Sequence, residues 1–392
     1  MSHHPYDPVS VRHLSAPSRT YAGDRALGGL AKELTRTDAQ RVVLVCGSSM
    51  VRQSEVLDLV EGAIGSRFAA RFAGVRANSP SASVDEAASL LVTHDADAVV
   101  ALGGGSAIVT ARAASILAAE GKGAQDLCTR RIDGRLVSPR LEAPKISQWI
   151  VPTTPTTAYA KAGAAVRDSV TDERLALFDP KARASGVFLH PAAAATAPAS
   201  LARSSALNAF AMCVDGLQSQ TDDPFAEAQL RHALASIKLW LPRLGESEVD
   251  GVVGVRLMLA SQLAGQASDH VGTGLAQPVS HALGPRSTVG NGIVEAIMLP
   301  HVMDFNVGHA DAGMSAVAES LAPGSSGSPE DAMSAVRAVL DTVGVPPRLR
   351  DVGIAQEDLQ ESVAHVLDDW SATTVPRPAD AETLEALLRR AW

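Results

Sequence analysis

The sequence predicts an α/β fold: an N-terminal doubly wound, Rossmann-like parallel-sheet domain followed by an all-α C-terminal domain. Three observations predict it. Short apolar, β-branched runs alternate with helical patterns through the first half. A glycine-rich turn leaves one of these runs and opens a helix. Past about Pro191 the pattern becomes Ala-, Leu- and Ser-rich with helical periodicity. The domains are therefore placed at 1–190 and 191–392.

The elements follow in order. Arg41 to Cys46 (R-V-V-L-V-C) is continuous, β-branched and apolar and stops at Gly47-Ser48-Ser49, as a strand buried on both faces does before a loop and helix. Phe68 to Val75 is a second apolar run. After Asn78-Ser79-Pro80-Ser81, the stretch V-D-E-A-A-S-L-L predicts a capped amphipathic helix. A third strand, Ala96 to Leu102, runs into Gly103-Gly104-Gly105-Ser106 and the helix former A-I-V-T-A-R-A-A-S-I-L-A-A. Strand and helix in this alternation predict a parallel sheet with its ligand crevice at the carboxyl ends of the strands. In the second half, breaks fall near Asp222-Asp223-Pro224, Gly245, Pro323-Gly324 and Pro346-Pro347, and Gly324 to Pro329 is short enough for a loop between helices.

Length and composition exclude several classes. At 392 residues and 46% hydrophobic content the chain can fill two cores. Its net charge of −9, with no Lys/Arg block, argues against a nucleic-acid or anionic-membrane partner, and a small-molecule substrate is the expected one. Cys46, Cys128 and Cys213 are far apart and form no C-x-x-C pair, which predicts reduced, buried thiols in a cytoplasmic protein. Met1 to His13 has no signal-type apolar segment and reads as a mobile arm, and no later run reaches membrane-spanning length.

The Gly103–Ser106 turn has two readings. Glycines let backbone N–H groups approach a pyrophosphate at the positive end of the next helix, or they serve the geometry of a tight turn alone. Val151-Pro152-Thr153-Thr154 offers hydroxyls for a nucleotide or is a Thr-rich strand end. Asn208, Met212 and Asp215 share a helix face through their four- and three-residue spacing. A third block runs from His281-Ala282-Leu283-Gly284 through Asn291 to Leu299-Pro300-His301. His301, His270 and the His3-His4 pair read as structural.

Taken in order, these blocks resemble the iron-containing alcohol dehydrogenase and maleylacetate reductase superfamily, whose fold is similar to that of dehydroquinate synthase. The resemblance implies that Gly103, Gly104, Gly105 and Ser106 contact the diphosphate of NAD(P), with Thr153 and Thr154 beside it and Arg174 near a ribose-contacting Lys position. An Asp common in the family is Val109 here. Relatives usually follow P-T-T with a Gly-Ser-Glu turn, whereas this chain has Thr156-Thr157-Ala158-Tyr159-Ala160-Lys161, so Tyr159 and Lys161 are expected to enlarge and recharge the wall near the nicotinamide. The family's metal ligands are an Asp and three His. At the matching positions stand Asn208, Met212, His281 and Asn291, so no metal is expected. The ten-residue spacing from His281 to Asn291 is that of the maleylacetate reductase branch.

Two mechanisms follow from the resemblance. The first is a metal-independent NAD(P)H-dependent reductase of a small activated carbonyl or oxo-acid, with His281 as proton donor and Asn208, Asn291 or Lys161 as hydrogen-bond donors. The second is a non-redox lyase, dehydratase or cyclase in which Tyr159, Lys161, His281 and Glu295 serve as acid, base and anion-binding groups. A homodimer is common among relatives and is the expected assembly.

Overall fold

The computed structural model describes residues 11–133 and 135–392. The first part of the chain runs β1 (Arg19–Ala22), α1 (Ala26–Arg36), β2 (Val42–Gly47), α2 (Ser48–Val51), α3 (Ser54–Ile64), β3 (Phe68–Val75), α4 (Ser81–Thr93), β4 (Ala98–Gly103), α5 (Gly105–Glu120), α6 (Ala124–Leu127), β5 (Arg130–Ile132), β6 (Arg135–Val137), β7 (Ser147–Pro152), β8 (Gly163–Arg167), β9 (Arg174–Phe178) and β10 (Ala184–Leu189). From there on the described regular elements are helical: α7 (Pro191–Ala195), α8 (Ala199–Leu217), α9 (Pro224–Trp240), α10 (Gly251–Val271), α11 (Ala276–Leu283), α12 (Asn291–Asn306), α13 (Asp311–Leu321), α14 (Pro329–Thr342), α15 (Gln356–Asp368) and α16 (Ala381–Ala391), with short 3-10 turns between some of them. The expected change of character at Pro191 is where α7 begins.

Six strands form one sheet in the order β1-β10-β7-β4-β2-β3, and all five pairings are parallel. Successive side chains of a strand point to opposite faces, and the core divides accordingly. Val43, Val45, Val99, Ala101, Ile150 and Val187 pack on one face with Val84, Ala87 and Leu91 of α4 and Ile108 and Ala111 of α5. Val42, Leu44, Cys46, Val100, Leu102, Trp149 and Phe188 pack on the other with Leu27, Leu30 and Leu34 of α1 and Val56 and Val60 of α3. Both faces are covered, which is why these strands read as unbroken apolar runs rather than alternating ones.

The chain forms two compact units. The α/β unit comprises Pro17–Ala209 and Leu239–Gly265, and the helical unit comprises the segment ending at Ala16, Phe210–Lys238 and Gln266–Trp392. These units do not follow one cut after residue 190, because Leu239–Gly265 returns to the unit that holds the sheet.

Some local expectations need correction. The expected side-chain cap of α4 is absent: Pro80 holds the N-cap position, and the Ser81 hydroxyl donates instead to Ser169. Strand β1 and the antiparallel hairpins β5-β6 and β8-β9 were not foreseen; β1 and β5-β6 are short and largely exposed and carry no apolar signature. Residues 1–10 of the expected arm lie outside the described residues, but His13 at its end is packed, its ring stacked on that of His270 at 4.0 Å. The three cysteines are buried and unpaired, and burial raises the Cys46 thiol to about 11 and that of Cys213 further. No helix among the described residues is long and apolar enough to cross a membrane.

Candidate active site

In the α/β unit the third expected strand is β4, and it delivers the glycine turn directly to α5. Gly103 has φ +144°, a region that side chains with a Cβ rarely adopt, and Gly104 is the N-cap of α5 in extended conformation. A Cβ at 104 would come within 3.2 Å of Thr154 Oγ1. The neighbouring strand β7 ends at Pro152, and the Thr153 amide donates to the Gly103 carbonyl at 3.0 Å. The glycine turn and the Thr153-Thr154 step are thus fastened side by side at the carboxyl ends of adjacent parallel strands. Helix α5 opens there; the Ala107 and Ile108 amides donate to the Gly104 carbonyl, and the Gly105 and Ser106 amides before them are the ones placed to suit an anionic oxygen. The residues present fit a dinucleotide diphosphate.

Ser106 has a second task. Its Oγ accepts the Asn78 amide at 3.2 Å, and its carbonyl accepts the Ser79 hydroxyl at 3.0 Å, so it anchors the turn before α4. Asn78 and Ser79 both lie at positive φ, and this pair of bonds holds that conformation. Lys161 is half-buried between the 3-10 turn Ala158–Ala160 and β8. Arg174 is exposed at the start of β9, opposite Arg167.

The expected position of Tyr159 on an open wall is corrected. Its ring is 2% exposed in the core beside α5, and its hydroxyl donates to the Met258 carbonyl at 2.5 Å. Burial pushes its pKa well above the ordinary phenol range, so it is a packing residue with a satisfied hydroxyl rather than an acid or base.

Helix α8 carries Asn208 half-buried and Met212 buried one turn later. In the helical unit, the Ser268 hydroxyl donates to the Met212 sulfur at 2.9 Å. Asp215, on the same face of α8, is fully enclosed. Burial raises its carboxyl to about 7 against the opposing pull of the Gly274 and Ala276 amides.

His281 lies near the end of α11. Its Nδ1 is 2.7 Å from Asp369 Oδ2, and both side chains are about nine-tenths buried, with 11% and 9% exposed. One turn earlier in α11, Gln277 is buried with its Oε1 lacking a hydrogen-bond partner among the described residues. Asn291 is the exposed first residue of α12, and an ideal Cβ on Gly284 would come within 2.1 Å of its Oδ1. The glycine of the H-x-L-G block therefore makes room for this amide. Glu295, one turn into α12, is fully buried.

Asp369 and Gln277 were missed by the sequence reading. Asp369 is far from His281 in the chain and has no local pattern, whereas Gln277 could have been found from its helical spacing to His281.

The four positions matched to the family's metal ligands hold two carboxamides, a thioether that accepts a hydroxyl, and an imidazole with Nδ1 committed to a carboxylate. This donor set does not suit Fe²⁺ or Zn²⁺.

Known proteins resemble this chain over most of its length. Maleylacetate reductase 1 of Cupriavidus pinatubonensis is 26% identical over 376 residues, covering 95% of each chain. Lactaldehyde reductase of Escherichia coli is 27% identical over 380 residues, covering 94% of this chain and 97% of the relative. The crystal structure of sulfoacetaldehyde reductase from Bifidobacterium kashiwanohense in complex with NAD+ superposes with a TM-score of 0.85 at 16% identity, covering 98% of this chain and 99% of the other. The family model for iron-containing alcohol dehydrogenase matches residues 17–191, and that for the C-terminal region of the Fe-containing alcohol dehydrogenase family matches 202–392. Together they span nearly the whole sequence, and the chain belongs to the iron-containing alcohol dehydrogenase family of NAD(P)-dependent oxidoreductases.

Proposed function

We propose that this protein is a metal-independent NAD(P)H-dependent reductase of a small activated carbonyl or oxo-acid, of the kind exemplified by maleylacetate reductase. The observation that carries the reading is the His281–Asp369 pair: an oriented imidazole on the block where the family's ligand set is otherwise replaced by non-ligands. The likeness to maleylacetate reductase over almost the full length supports it.

A bound nicotinamide supplies the hydride. Gly103, Gly104, Gly105 and Ser106 seat its diphosphate on the amides of α5, with Thr153 and Thr154 alongside. Arg174 takes the ribose side. As the carbonyl carbon is reduced, negative charge develops on its oxygen. Asp369 holds the His281 ring, and His281 delivers the proton. Asn208, Asn291 or Lys161 is the candidate hydrogen-bond donor to the developing charge. These donors replace the several kcal/mol that a Lewis acid contributes only in part, so the substrate carbonyl must itself be electron-poor. A homodimer in the cytoplasm completes the reading.

The test is calorimetric titration of the protein with NADH and NADPH, followed by turnover assays with activated oxo-acids before and after chelator treatment. Binding of either cofactor and chelator-insensitive reduction is the expected result. Loss of turnover on chelation would end the metal-independent reading. Failure to bind either cofactor would leave the non-redox reading, with Lys161, His281 and Glu295 as its acid, base and anion-binding groups.

A further inference from the structure

Away from the positions matched to the family's ligands, the helical unit brings together His13, Asp223 and His270. His13 Nδ1 lies 2.8 Å from Asp223 Oδ2, and His270 Nδ1 lies 4.0 Å from the same oxygen. One donor atom from each of the three residues falls within 4.8 Å of the others. Tetrahedral zinc with bonds of about 2.0–2.1 Å separates its ligand atoms by roughly 3.3 Å, and the two observed distances bracket that value.

The support around the three groups is of the kind ligands receive. Asp223 is buried; its Oδ1 accepts the Phe225 and Ala226 amides as the cap of α9, which turns Oδ2 toward the two imidazoles. The His13 and His270 rings stack, with 12% and 16% of their side chains exposed, and the Leu14 backbone carbonyl accepts a hydrogen bond from His270, which orients it. The rings are thus fixed, yet solvent can reach the site and supply a fourth ligand. Two imidazole nitrogens and one carboxylate oxygen form a borderline donor set that suits Zn²⁺ over Mg²⁺ or Ca²⁺.

We propose that His13, Asp223 and His270 form a Zn²⁺ site that pins the segment around His13 to the start of α9 and the end of α10. It shares no residue with Asn208, Met212, His281 or Asn291, so its occupancy is independent of whether catalysis uses a metal. His270 is then a ligand rather than the structural histidine that its sequence context suggests.

The experiment is titration of the chelator-stripped full-length protein with Zn²⁺ by calorimetry, with Co²⁺ absorption as a readout of ligand geometry and thermal melting as a readout of linkage. The expected result is one Zn²⁺ per chain and a raised melting temperature. His13→Gln and His270→Gln are each expected to weaken binding by at least roughly tenfold and to abolish the stabilisation. Both rings are partly exposed, so circular dichroism should show the variants folded, and a His3→Gln/His4→Gln variant should bind like the parent. Absence of Zn²⁺ binding by the parent would overturn the proposal. So would binding that survives both His13→Gln and His270→Gln, or binding that disappears with His3 and His4.

Discussion

The carboxylate of Asp369 is shared between two tasks: Oδ2 lies 2.7 Å from His281 Nδ1, while Oδ1 accepts the Ser371 amide at 2.8 Å and its hydroxyl at 2.5 Å. Held from both sides, it fixes the orientation of the His281 ring through Nδ1. Replacing Asp369 by Asn should lower kcat by about 10- to 100-fold, by analogy with supporting partners of functional histidines, with cofactor affinity unchanged. His281→Ala should cost about 10²- to 10⁴-fold. Steady-state kinetics beside a cofactor titration checks both, and undiminished turnover in His281→Ala would remove the proposed proton donor.

Gly104→Val places a branched side chain where even a Cβ meets Thr154 Oγ1 at 3.2 Å. The expected outcome is a folded protein whose NADH or NADPH affinity falls by at least about tenfold, equal to about 1.4 kcal/mol. Titration calorimetry reads it directly; parental affinity would separate this turn from the diphosphate.

Asp215 predicts an unusual pH dependence. Its folded-state pKa of about 7 lies above the ordinary carboxylate value of 3.8. Below about pH 4 the group is protonated in both states and has no effect. Between about 4 and 7 the unfolded chain releases the proton first, so stability falls as pH rises, by up to about 4 kcal/mol in all. Asp215→Asn should flatten this part of the profile and be the more stable protein at pH 8. Urea unfolding across the range is the measurement, and parallel profiles for the two proteins would refute the assignment.

Met212 is 2% exposed, and its truncation leaves a cavity and removes the sulfur to which the Ser268 hydroxyl donates. Met212→Ala should cost about 2–5 kcal/mol of stability, read as a lower denaturation midpoint.

How much was legible in the sequence follows from where each signal is stored. The runs that became β2, β3 and β4 were readable because strands buried on both faces must be apolar at every position. Boundaries slipped by a residue or two: β4 begins at Ala98 rather than Ala96, since propensity does not mark where pairing starts. The glycine turn was readable because positive φ needs a specific residue. Tyr159 was misplaced because an aromatic beside a cofactor loop can turn inward as easily as outward, and only the packing against α5 decides. Asp369 was invisible because its meeting with His281 is made by the fold and not by spacing.

The Ser268–Met212 bond has a consequence for what position 212 can accept. A thioether with a hydroxyl partner is held in one place by more than packing. An imidazole introduced at 212 would inherit Ser268 as its neighbour in place of the sulfur. The sulfur and the hydroxyl occupy each other, so position 212 is tuned to a thioether, and a polar ring there would have to displace the contact before it could do anything else.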